Sequence, residues 1–272
     1  VFGDLNMDND ENADLIRVDM NQNSVLDVNG DIDMLSAVAA NRVEVQLDHA
    51  AILKLAGNFQ RNANPNDFGI FDSNTASKII FDGSIAQFMP ADNGGGSDGF
   101  SYRKVELNNT FGTIPQLTLL GQATVPDSLN LVDGIVQTTS SNLLILTSTG
   151  INGGMASDDS HVNGPMRKVG NSPFDFPIGS SEYIAELAIS APAVGTDAFT
   201  AEFFDADPAT VSAIGSKAVD IDHVSRCQYW NLDRTTGTSN VIVTVSFGDS
   251  SCGVDVLPEL LVVRWDGAMW QN

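Results

Sequence analysis

Apolar and polar side chains alternate along most of the chain in short segments, each closed by Gly, Asn, Asp or Ser. Alternation with period two is the mark of strands that bury one face, so the pattern predicts an all-β protein. Only Met34–Asn41, with Ala37, Val38, Ala39 and Ala40, reads as a helix.

The segments repeat. Leu26-Asp27-Val28-Asn29-Gly30-Asp31-Ile32, Leu53-Lys54-Leu55-Ala56-Gly57-Asn58-Phe59 and Ile79-Ile80-Phe81-Asp82-Gly83-Ser84-Ile85 share one form, with their glycines 27 and then 26 residues apart. Ile16, Val18 and Met20 stand 27 residues before Val43, Val45 and Leu47. Leu117, Leu119, Gly121 and Ala123 repeat the form after a longer gap that holds the Asn93–Ser97 loop. A fixed step of this length predicts stacked coils, because one coil cannot cover its own apolar face but its neighbours can. The economical structure is a parallel β-helix, a β-solenoid of ~26-residue coils, over residues 1–178. Leu26, Val28, Ile32, Leu53, Leu55, Phe59, Ile79, Phe81 and Ile85 then point inward. After Gly179 the strands lengthen: Ala185–Ser190, Phe199–Phe204, Val241–Phe247 and Leu260–Trp265. They predict an antiparallel β-sandwich over residues 180–272, closing the open end of the solenoid.

Charge narrows the function classes. Thirteen Lys and Arg against 35 Asp and Glu give a formal charge of −22. Such a chain repels nucleic acid and anionic lipid. No apolar run reaches the ~18 residues of a membrane span. The chain opens on Val1-Phe2-Gly3 with no signal-like segment and reads as a piece of a longer polypeptide, whose flanking domains are expected partners.

Several motifs toward the C-terminus, in order, are Val162-Asn163-Gly164-Pro165, Phe176-Pro177-Ile178-Gly179, Tyr229-Trp230-Asn231-Leu232-Asp233-Arg234, Gly237-Thr238-Ser239-Asn240-Val241 and Arg264-Trp265-Asp266-Gly267-Ala268-Met269-Trp270. From about Leu117 to Asn272 the chain resembles a module of large surface proteins of Bacteroidota exported by the type IX secretion system. The resemblance implies export, an extracellular cell-surface location and a structural role, and it brings no catalytic residues. Export to an oxidising surface favours a disulfide between Cys227 and Cys252; two buried free thiols are the alternative.

Candidate chemistry is sparse. Asp8, Asp10, Asn12 and Asp14 offer oxygens at alternate positions, as a calcium loop does. Asp27, Asn29, Asp31 and Asp33 have the same spacing, but the repeat points them outward as a solvated face. Neither segment ends in the bidentate Glu of an EF-hand: the twelfth positions are Asp19 and Val38. Calcium is thus the one cofactor the sequence suggests. Ser160-His161 beside Asp158-Asp159 offers a nucleophile and base, but neighbours on a strand face opposite ways. Tyr229, Trp230, Trp265 and Trp270 suit core packing, with Asp266-Gly267 turning Trp270 back toward Trp265; a sugar-stacking platform is the alternative. The expected function is a non-catalytic structural or display segment, an adhesin or gliding-associated filament, in contact with surface polysaccharide or with copies of itself. A polysaccharide-degrading β-helix enzyme and a carbohydrate-binding module are the alternatives.

Overall fold

A computed structural model describes all residues except 10–14, 37–41, 62–66, 73–75, 93–98, 148, 155, 249–250 and 253–255. The chain is nearly all β and begins as a parallel solenoid of about 5 turns. Three faces form it. The longest is a six-stranded parallel sheet of Val25–Val28, Ile52–Leu55, Lys78–Phe81, Lys104–Asn108, Ser128–Asp133 and Ile151–Asn152. A second face stacks Leu15–Met20, Arg42–Leu47 and Asp67–Asp72; another stacks Leu5–Asp8, Ile32–Leu35 and Phe59–Arg61. Further on, five parallel strands run from Gln87–Met89 through Leu117–Leu119, Val136–Gln137 and Val162–Asn163 to Ile178–Gly179.

Register on the long sheet puts like on like. Val28 pairs with Leu55, Leu55 with Phe81, Phe81 with Leu107 and Leu107 with Leu131. All five are buried to 1% exposure or less. Leu53, Ile79, Val105 and Leu129 form another inward row beside them. Each fully buried side chain of this kind contributes about 1.5–3 kcal/mol from water exclusion. Ile16, Val18 and Met20 lie in register with Val43, Val45 and Leu47, as the 27-residue step predicts.

The repeated glycines mark one corner, where successive backbones approach too closely for a side chain. A Cβ on Gly30 would come within 2.7 Å of the Gly3 carbonyl carbon, and the Gly57 amide donates to the Gly30 carbonyl at 3.0 Å. Next to them runs a ladder of side chains onto backbone amides. Asp4 Oδ1 accepts from the Asp31 amide at 2.9 Å, Asp31 Oδ1 from the Asn58 amide at 2.7 Å, and Asn58 Oδ1 from the Phe88 amide at 2.7 Å.

Four expectations need correction. Ile85 is exposed, because the chain bends at Ser84 and Ile85 and strand pairing resumes at Gln87. Gln87 is buried there. Its Nε2 donates to the Leu55 and Gly57 carbonyls, both at 2.7 Å, and its Oε1 accepts from the Gly83 amide at 3.0 Å. Leu117–Leu119 repeats the motif but lies on the Gln87–Met89 face, so Gly121 turns a different corner from Gly30 and Gly57. Met34 and Leu35 end the strand Ile32–Leu35 and are not helical; residues 37–41, like the Asn93–Ser97 loop, lie outside the described residues. Of Leu260–Trp265 only Arg264–Trp265 is a strand, and Leu260, Leu261 and Val262 are exposed. Pro258 lies in a short 3-10 turn just before, and Arg264 and Trp265 pair only with Gln271 and Trp270.

Antiparallel sheets follow the solenoid without a break in the core. Met166–Val169 pairs in parallel with Leu144–Leu146 and antiparallel with Ala198–Phe204, which pairs in turn with Tyr229–Thr236. Phe174–Phe176, Leu187–Ile189 and Val243–Val245 form a further antiparallel sheet. One hydrophobic cluster extends from Met7 to Phe203, crossing the expected boundary near residue 179. Among the described residues no helix is long and apolar enough to cross a membrane.

Candidate functional site

The calcium-like segments divide. Asp8 is exposed at the end of Leu5–Asp8, and Asp10, Asn12 and Asp14 lie outside the described residues. In the other segment Asp31 is spent on the corner ladder, Asn29 Nδ2 donates to the Val1 carbonyl at 3.2 Å, and Asp27 faces Lys54 at 4.0 Å. Partial burial, then the charges of Asp4 and Asp31, push the Asp33 carboxyl up. Among the described residues no three His, Cys, Asp or Glu side chains come together as a metal-binding group.

Ser160 and His161 do not form a nucleophilic pair. Ser160 Oγ donates to the Gly134 carbonyl at 3.3 Å, while the His161 ring nitrogens face the Ser157 and Ser180 carbonyls at 2.9 and 2.6 Å. Asp158 accepts from the Ile184 amide at 3.0 Å. These bonds tie the last solenoid coil to the turn that follows it.

The four aromatics fall into separate groups, which removes the single stacking platform. Trp230 packs against Phe203 in the main core, and its indole N–H donates to the Ala185 carbonyl at 2.9 Å. Trp265 and Trp270 face each other across their hairpin, ring centres 5.8 Å apart, in a satellite cluster with Ile221 and Val224. Tyr229 stacks parallel on Phe204 at 4.7 Å. Cys227 and Cys252 are joined as a disulfide, with Cα atoms 5.8 Å apart.

On the outer face of the long sheet Lys78 and Glu106 are paired. Lys78 Nζ donates to Glu106 Oε2 at 2.9 Å, and Asn130 Nδ2 donates to the same oxygen at 2.8 Å. Burial pushes the Glu106 carboxyl up, but the bonds from Lys78 and Asn130 and the charges of Lys78 and Lys54 outweigh it, so Glu106 lies below its ordinary value. Arg103 grips Asp127 with two bonds, at 3.0 and 2.9 Å.

Lys168 is the least expected charge. It is buried, and its ammonium donates to the carbonyls of Thr147, at 2.6 Å, and of Gly150. It also sits over the Phe174 ring, 5.1 Å from the centre. Burial pushes this amine down to about 8. Alternation places it inward at the solenoid's last turn, where its donors occupy carbonyls of the preceding coil.

A cleft of about 510 Å³ opens where the solenoid meets the antiparallel sheet. One side carries Gln137 and Asn163, which are adjacent on successive parallel strands. Their side chains bond, Asn163 Nδ2 to Gln137 Oε1 at 3.1 Å, and Gln137 Nε2 donates to the Asn163 carbonyl at 2.9 Å. Opposite them, Ala198–Phe204 supplies Glu202 and Phe204. Burial, then the charge of Asp233, pushes Glu202 up. Across the strands Asn231 is opposite Glu202 but gives its amide to Asp233 at 3.1 Å. No sequence motif marks these as site residues. One signal is present: Gln137 and Asn163 are 26 residues apart, the repeat length, which sets their side chains side by side.

Comparison with protein-family models, with curated proteins and with solved structures found no match to this chain.

Proposed function

We propose that this chain is a non-catalytic structural segment of a large exported cell-surface protein, extending and displaying what flanks it, as an adhesin or gliding-associated filament does. The observation that carries the reading is the Asp4–Asp31–Asn58–Phe88 ladder, in which polar side chains bind the next coil's backbone. Bonds of this kind, added to parallel strand pairing, make a stiff stack. At about 4.8 Å per strand the six-stranded sheet extends the molecule by about 24 Å. A charge of −22 keeps such surfaces apart and soluble. The disulfide suits an oxidising compartment, and the motifs between Leu117 and Asn272 supply the expectation of export.

Display is tested on intact cells of the source organism with an antibody raised against residues 180–272. Labelling without permeabilisation is expected. Labelling only after permeabilisation would overturn the reading.

A further inference from the structure

The cleft beside Glu202 goes beyond the display role and stands independently of it. Its side chains are those that recognise polyols. Gln137 and Asn163 form a fixed amide pair, and Asn163 Oδ1 takes no hydrogen bond from a described residue. Among the described residues none donates a hydrogen bond to the Glu202 carboxylate, although it is partly buried. Its oxygens are open to solvent, where donors from a ligand can replace water. Phe204 lies on the same wall, its plane set by parallel stacking on Tyr229.

We infer that this cleft binds a neutral oligosaccharide. Vicinal hydroxyls donate to Glu202 and exchange bonds with the amide pair, and the C–H face of the sugar ring covers Phe204. Among the described residues no Lys or Arg lines the cleft, whereas Glu202 and Asp205 do, so anionic sugars are repelled. The nearby Arg167 gives its Nε to Thr200 at 3.0 Å. A peptide added as a strand would need unpaired backbone, but here the Thr138 amide already donates to the Asn163 carbonyl at 3.0 Å. Recognition therefore falls to side chains.

The test is native affinity electrophoresis of the 272-residue protein through gels containing laminarin, mannan, xylan or, as the anionic polymer, polygalacturonate. Retardation by at least one neutral glycan and none by polygalacturonate is expected. Phe204→Ala and Glu202→Ala should each weaken retardation about tenfold or more. Ser181→Trp fills the cleft from its exposed rim and should abolish retardation, whereas Ser172→Trp, also exposed but outside the cleft, should leave it unchanged. The rim variant touches no core contact, so it decides the matter even where Phe204→Ala fails to fold. Absence of retardation by every neutral glycan, retardation by polygalacturonate alone, or full retardation of Ser181→Trp would each overturn the inference.

Discussion

Gly57 lies directly over Gly30, its amide donating to the Gly30 carbonyl at 3.0 Å and its missing side chain leaving room for that carbonyl. A Cβ there would stand well inside contact distance of the Gly30 backbone, which cannot move without parting the coils. Gly57→Ala should therefore cost about 1–3 kcal/mol in urea denaturation. Gly112→Ala, with nothing within 4 Å of its Cβ position, should change stability by no more than about 0.5 kcal/mol. Equal costs at the two sites would contradict the close stacking.

Leu55 is in the middle of the inward row, between Val28 and Phe81. Leu55→Ala should cost about 2–5 kcal/mol from lost transfer energy and the cavity left behind. Leu55→Asp should cost more, since a charge would be buried without a partner. Unchanged denaturation midpoints for both variants would mean that the row is not buried.

Lys168 makes stability depend on alkaline pH. Its amine is pushed down to about 8 in the folded chain, against about 10.4 when unfolded. Between those values the unfolded chain binds more protons, so this group's contribution rises as pH increases. Urea stability of the parent minus that of Lys168→Met should grow by about 2–3 kcal/mol from pH 7.5 to 10.5. A flat difference would show that the ammonium is not desolvated there.

The disulfide closes a loop with a sequence separation of 25. Reduction should lower stability by about 3 kcal/mol. The check is the denaturation midpoint with and without reductant, and a Cys227→Ser/Cys252→Ser variant should match the reduced parent.

The solenoid is legible where spacing and alternation agree. Ile16, Val18 and Met20 announce their partners Val43, Val45 and Leu47 because equal steps stack equal positions. Legibility fails at Ile85, since hydropathy cannot foresee a buried Gln87 whose side chain satisfies two backbone carbonyls of the coil before it. It fails again at Leu260–Val262, where apolar alternation finds no partner strand before Arg264. The calcium-like Asp31 misleads for a related reason: its oxygen serves the next coil's amide, which composition does not reveal. The cleft is not legible because Glu202 and Asn163 meet only through the antiparallel return of Ala198–Phe204 onto the solenoid.

Turnover is the most direct test of a structural, non-catalytic role. The purified protein is incubated with neutral and acidic polysaccharides, with and without calcium, and reducing ends and unsaturated products are measured. No release above the blank is expected, including from any glycan that the cleft beside Glu202 retains. Release that disappears in Glu202→Gln or Glu106→Gln, with folding intact, would contradict the structural role and identify the chain as a polysaccharide-cleaving enzyme.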